Sequence, residues 1–392
     1  MVTDRVVYTI FDTKDSMQTA ATKILRHYPQ RCRSEEIAPI EPRVALGPCC
    51  YWRVETDETL FCLRRWSRGG IAVSRLQFLQ AALWHAVTEG IETLPLPLET
   101  RSRKGYVEDH GAFWELLPWI EGERKYASDA FLPASFPVYA ESNDDTDIVE
   151  RECAENLTVP QKVEPVQLVS ALMSLGQFHE AVSTFPLPNP PVGFSSAIRH
   201  ATTRFQFWTP ERLATLRTVL RESEQLPQSL LELRLARAGL LFLEHVVTGL
   251  RLGRLLLSDA VNIATPLQVV FRNCSSRHLR FDEQGLCGFL DCKELGVDSV
   301  SLDVAMLLGS LSCGNPMLKE AGLKAYQKFR TLSDDEWTVY RTFDFVLPII
   351  EGLEYLDAVF LREAPLTRNQ LGEIERRLTR LNDRRHRSQK AA

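Results

Sequence analysis

Residues 270–311 read VFRNCSSRHLRFDEQGLCGFLDCKELGVDSVSLDVAMLLGSL. Three polar side chains are spaced along this stretch: Asn273, then His278 five residues later, then Asp291 at the end of the hairpin sequence FDEQGLCGFLD. The five-residue interval places two side chains at the two ends of one loop. A carboxylate at a strand end supplies the anionic oxygen that a hard cation such as Mg2+ prefers. The plainer reading of Asp291 is a cap on the turn after a buried strand.

Upstream, the pattern changes from helical to β. Tyr51 to Arg65 (YWRVETDETLFCLRR) reads as two strands around a polar turn at Glu55–Thr59. Apolar residues at 76, 79, 83 and 87 give Arg75 to Thr88 a helical period, closed by Gly90. LPLPLE then suggests another strand, and Tyr106-Val107 and Ala112 to Leu117 two more, before Pro118 and Gly122 break the regularity. Ahead of these strands lie a short helical pattern over 15–28 and a polar, Pro-containing linker to Pro42. The acidic stretch 123–164 has little periodicity and reads as a solvated crossover.

From Val166 onward the chain reads as helical. Leu172, Leu175, Phe178 and Val182 share one face of a helix over Leu168–Phe185. Thr209-Pro210-Glu211 is a helix start, with Thr as N-cap and Pro in the first turn. Leu230 to Leu257 predicts a long, central apolar helix. Ser333-Asp334-Asp335-Glu336 is a capping box before a helix that Pro348 is expected to kink or end. The basic end IERRLTRLNDRRHRSQKAA predicts a fraying, solvated helix.

Bulk properties narrow the function classes. A chain of 392 residues exceeds one compact core, so two units are expected. A net charge of -5 argues against a nucleic-acid or anionic-membrane partner. Asp4, Arg5, Asp12, Lys14 and Asp15 interrupt any secretory h-region. The apolar helix around Gly239 to Leu257 carries Glu244, His245, Arg251 and Arg254, unlike a membrane span. Nine cysteines without a CxxC pair suggest reduced thiols and a cytoplasmic location.

Over roughly 45–352 the chain resembles the aminoglycoside phosphotransferase superfamily, which also holds choline, homoserine and fructosamine kinases. Leu63-Arg64, LPLPLE, WELLPWIEG and LMSLGQFHE stand in the family's order before the 270–311 segment. The resemblance implies an α+β, protein-kinase-like two-lobed fold: a small β-rich N-lobe over 43–122 and a larger, mainly helical C-lobe over 165–365. Residues 1–42 would be an extension and linker, 123–164 an insertion, and 366–392 a tail. It also implies ATP or another nucleoside triphosphate, Mg2+ or Mn2+, and a small-molecule hydroxyl acceptor.

Against the family loop H-x-D-x-x-x-x-N followed by I-D, Asn273 takes the catalytic aspartate's place, and His278 that of the metal-binding asparagine. Asp291 keeps the metal-binding carboxylate. Gly47 in ALGPCC would mark the nucleotide loop, Arg64 would replace the phosphate-binding lysine, and the strand of Glu115 and Leu117 would meet adenine. Asp303 would brace the catalytic loop through its backbone. Four departures weaken catalysis: an amide cannot accept a proton, the nucleotide loop has one glycine and a proline, the Arg75–Thr88 helix has no Glu, and Lys293 follows Asp291. Two functions therefore stand side by side: weak or altered phosphoryl transfer, or a catalytically inactive pseudokinase that binds a ligand or a protein partner.

Overall fold

The computed structural model describes residues 14–32, 34, 36–40, 49–122, 164–187, 191–312, 315–362, 364 and 366, and near the C-terminus 371, 372, 374, 375 and 378. Gly47, the acidic segment from 123 to 163 and most of the basic end lie outside them. The chain forms two compact units, Met1–Trp84 with Pro95–Ile120, and His85–Leu94 with Glu121–Ala392.

The first unit is built on one antiparallel sheet. Helix α1 (Lys14–Leu25) precedes β1 (Glu36–Ile40), β2 (Cys49–Glu55) and β3 (Leu60–Trp66); α2 (Val73–Thr88), β4 (Val107–Asp109) and β5 (Ala112–Pro118) follow, in the strand order β1-β2-β3-β5-β4. Side chains alternate across a strand, so Trp52, Val54, Phe61, Leu63, Trp114 and Leu116 fall on one face. There they share a core with Ala21, Ile24, Leu25 and Tyr28, and the Trp52 and Trp114 rings lie 5.2 Å apart. Two sequence expectations change. The presumed linker before Pro42 contains β1, paired with β2 from Glu36↔Glu55 to Ile40↔Tyr51. An edge strand can tolerate Pro39, whose missing N–H breaks a central ladder. LPLPLE forms no strand, because prolines 95 and 97 lack the donors; Leu98 N–H still reaches the Leu116 carbonyl at 2.8 Å.

The second unit holds α3 (Pro165–Ala181), β6 (Val192–Phe194), α4 (Ser196–Gln206), α5 (Pro210–Gln225), α6 (Leu230–Ala260), β7 (Ala264–Pro266) and β8 (Gln268–Val270). The hairpin β9 (Leu279–Phe281) and β10 (Leu286–Phe289) follows, then β11 (Gly296–Asp298), α7 (Ser301–Ser312), α8 (Pro316–Tyr326) and α9 (Asp334–Phe360). Thr209 Oγ1 accepts from Arg212 N–H at 3.3 Å, and Ser333 and Glu336 cap each other's backbone at 3.2 and 2.9 Å. Pro348 does not end its helix. α9 continues to Phe360 because Ile349, Ile350, Leu353 and Leu356 beyond the proline are fully buried. At the basic end, Ile374 and Leu378 are buried and Glu375 pairs with Arg234 at 2.8 Å.

Close approach of α6 and α9 depends on two glycines. A Cβ on Gly352 would strike the Phe242 ring, and one on Gly239 would come within 2.7 Å of Leu356. Both are fully packed positions, where extra methyl groups cost about 1–3 kcal/mol. Gly352→Ala is therefore expected to lower the unfolding free energy by about that amount in a denaturant titration. A loss under about 0.5 kcal/mol, the level of a typical surface substitution, would show that the Phe242 ring simply moves aside.

Candidate functional site

In the first unit the cation of the central strand is already oriented. Register sets Arg64 of β3 opposite Glu115 of β5. Arg64 Nε and Nη2 donate to Glu115 Oε2 at 3.0 and 2.7 Å, Trp66 Nε1 donates to the same oxygen at 2.5 Å, and Gln80 Nε2 donates to Oε1 at 2.8 Å. The helix that lacks a glutamate thus supplies Gln80, and the orienting carboxylate comes from the neighbouring strand. Glu115 was expected to meet adenine through its backbone. Leu116 N–H instead faces the Tyr28 hydroxyl at 3.2 Å, and its carbonyl takes Leu98 N–H. Alternation then turns the backbone groups of Glu115 and Leu117 toward β3.

In the second unit a buried carboxylate shapes the loop after β8. Asp303 Oδ2 accepts from Phe271 N–H at 2.6 Å and Oδ1 from Arg272 N–H at 2.9 Å. His179 Nε2 lies 3.2 Å from Oδ2, and its Nδ1 lies 2.9 Å from the Tyr326 hydroxyl. A carboxylate only accepts, so Nε2 carries the proton and Nδ1 accepts from Tyr326. Burial pushes the His179 pKa down, which keeps this neutral tautomer. Held this way, Arg272 adopts φ 62°, a left-handed conformation that costs a β-carbon residue about 1–2 kcal/mol. Its guanidinium donates to the Val297 carbonyl at 2.9 Å and lies where a Cβ on Gly296 would sit, 2.5 Å from Cζ.

The hairpin that carries Asp291 is fixed at its turn. Asp282 Oδ1 accepts from Gln284 and Gly285 N–H at 2.7 and 2.9 Å. Ser170 Oγ of α3 accepts from Leu286 N–H at 2.9 Å, and Leu290 N–H bonds the His278 carbonyl at 2.7 Å. That last bond ties the hairpin to the loop. Electrostatic action of Asp291 and Lys293 on His278 places all three in one neighbourhood.

Within that neighbourhood every expected ligand has a cationic partner. Arg277, which the sequence reading passed over, donates from Nη2 to Asn273 Oδ1 at 2.7 Å and from Nε to His278 Nε2 at 2.9 Å. His278 Nδ1–H donates back to the Asn273 carbonyl at 2.8 Å, so both ring nitrogens are engaged. Asp291 accepts from Lys293 N–H at 3.1 Å and pairs with Lys293 Nζ at 2.9 Å. It therefore caps its turn as the plainer reading expected, and carries a lysine as well. Among the described residues no group of three His, Cys, Asp or Glu side chains is placed to hold a metal ion. The donors present do not fit a divalent ion unless Arg277 and Lys293 both withdraw. In the sequence the only sign of Arg277 was a charge within a short polar loop, a pattern that usually means solvation. At 6% exposure it is buried instead.

Burial first, and the Arg277 guanidinium second, push the His278 pKa down to about 4. An unfolded histidine titrates near 6.5. The stability this adds is complete above about pH 6.5 and is lost as pH falls through about 4, because only the unfolded chain takes up the proton readily. An NMR titration of the His278 ring should show its midpoint near 4, and Arg277→Met should move it upward. A midpoint near 6.5 in the unmodified protein would show that the ring is not enclosed.

The comparisons agree with this geometry at the level of fold. No curated protein matches the chain. An aminoglycoside phosphotransferase from Alicyclobacillus acidocaldarius superposes with TM-score 0.57 at 14% identity, covering 93% of this chain and 95% of its own. Spectinomycin phosphotransferase, solved with ADP and spectinomycin, gives TM-score 0.51 at 11% identity over 93% and 98%. A macrolide 2'-phosphotransferase from Brachybacterium faecium gives 0.51 at 13% identity over 94% and 97%. The fold is thus the α+β, protein-kinase-like one, with a small β-rich lobe and a larger helical lobe. The profile described as Phosphotransferase enzyme family matches residues 51–343. With three quarters of its length matched, the chain belongs to the phosphotransferase enzyme family.

Proposed function

We infer that the protein is a nucleotide-binding member of its family that has given up fast phosphoryl transfer, a pseudokinase in chemical terms. One observation carries this reading: Arg277 closes on both Asn273 and His278. Kinase-type transfer needs a group that takes or orients the hydroxyl proton and metal ions that neutralise charge on the phosphoryl oxygens. Here an amide replaces the base and is held by a guanidinium, and the two remaining metal positions are engaged by Arg277 and Lys293. ATP or another nucleoside triphosphate is the ligand this fold favours, a reading supported by the ADP-bound spectinomycin phosphotransferase. Arg64, oriented by Glu115, is the candidate phosphate contact of the sheet, and Gly47 remains a candidate for the nucleotide loop. The seven described cysteines are all free thiols, which supports a reducing, cytoplasmic setting.

A second reading is slow phosphoryl transfer to a small-molecule hydroxyl, and the Asp303 brace favours it. A loop held in place still positions its residues, and a loose transition state depends mainly on positioning and charge. In that reading Asn273 orients the hydroxyl, and Asp291 and His278 bind Mg2+ or Mn2+ after Arg277 and Lys293 move away. Asn273→Asp separates the two readings in an ATP-turnover assay with Mg2+ and with Mn2+. If the missing base were the only defect, the substitution would raise turnover by about 10²–10⁴-fold. The expected outcome is turnover that stays at background, since Arg277 would pair with the new carboxylate. A rise of about a hundredfold or more would overturn the inactive reading.

A further inference from the structure

Helix α6 is packed on one side and open on the other. Leu235, Phe242, Val246, Leu250 and Leu257 are buried, and a Cβ on Gly253 would strike the Phe205 ring. On the outer side Leu241, Leu252 and Leu255 are 39%, 47% and 56% exposed. One exposed leucine is ordinary. These three share a stripe with four exposed charges, Arg237, Glu244, Arg251 and Asp259. At 3.6 residues per turn, all seven fall within a sector of about 100°, the width by which an amphipathic helix usually faces a partner.

The charges along this stripe run plus, minus, plus, minus at 237, 244, 251 and 259. Their spacing of seven or eight residues is too long for pairs within one helix, which join residues three or four apart. Arg237 also meets Glu224 of α5 at 3.2 Å, an exposed pair of the kind that contributes little. Reversing the helix inverts every sign in the series. A second α6 laid antiparallel therefore sets each charge beside its opposite, whereas a parallel copy sets like on like. The apolar positions obey the same register. Leu241 with Leu255, and Arg237 with Asp259, are both centred on position 248, and Glu244 with Arg251 within half a residue of it. Such a self-complementary patch is what a two-fold interface requires. We propose that α6 is a docking surface for a second copy of this chain, the two helices packing antiparallel about a two-fold axis near position 248. Leu241 of one protomer then covers the partner's Leu255, with Arg237 beside the partner's Asp259, and symmetry makes each contact twice. The pairing is independent of any nucleotide.

Analytical ultracentrifugation of the full chain in reductant, over a concentration series, tests this. The expected result is a monomer–dimer equilibrium. Glu244→Lys and Arg251→Glu should each weaken dimerisation about tenfold, because each sets like charges together at two symmetric contacts. An equimolar mixture of these two variants should recover the unmodified affinity, since the mixed pair places opposite charges at both contacts. Leu255→Ser should weaken the dimer by a similar factor, about tenfold, through loss of the Leu241 contact. All three positions are exposed, and circular dichroism checks that each variant is folded. A monomer at every concentration would leave the stripe to a different partner and overturn the inference. A dimer that these substitutions do not weaken, or that the mixture fails to restore, would overturn it as well.

Discussion

The loop after β8 depends on one buried carboxylate. Asp303 is fully buried and anchors two consecutive main-chain amides, while His179, itself held by the Tyr326 hydroxyl, satisfies it from behind. An unpaired charge at that depth would cost several kcal/mol, so every member of the chain of bonds has to be in place. Gln268 extends the same network: its Nε2 donates to the His179 carbonyl at 2.7 Å and its Oε1 accepts from Arg330 at 3.2 Å. Arg330 in turn pairs with Glu336 at 2.7 Å, the residue that caps α9. Loop, α3, α8 and the start of α9 thus form one electrostatic unit.

The working face of the same loop has been rebuilt. At the positions where the family's loop motif has its catalytic and metal-binding residues, Asn273 and His278 enclose a guanidinium and Asp291 carries an ammonium. The sheet repeats the theme in milder form. Arg64 takes its carboxylate from a neighbouring strand, and Trp66 and Gln80 complete the shell around Glu115. In both units the framework is kept, and polar side chains at the candidate positions are bonded within the protein.

How much of this was legible in the sequence differs by feature. Helix starts at Thr209 and Ser333 could be read because capping is local chemistry, decided within four residues. The bracing role of Asp303 followed from its place in the family's order. β1 was hidden because an edge strand with a proline carries almost no periodic signal. Pro348 misled because helix breaking is a local rule that burial of the following turns can override. Arg277 was invisible for a different reason. Whether a loop arginine faces solvent or closes on its own neighbours depends on backbone geometry set by Asp303, 26 residues away in sequence. The partnership of Glu115 with Arg64 was likewise a matter of strand register, which no local pattern encodes.

Asp303 grips peptide N–H groups, and every residue except proline has one. The clamp therefore cannot distinguish which side chains stand at 271, 272 or 273. Loss of the proton acceptor at 273 would cost the architecture nothing, so the loop's outline could persist through generations of drift after its chemistry had gone. Descent can then be plain in the course of the backbone while the side chains that once justified it have been exchanged.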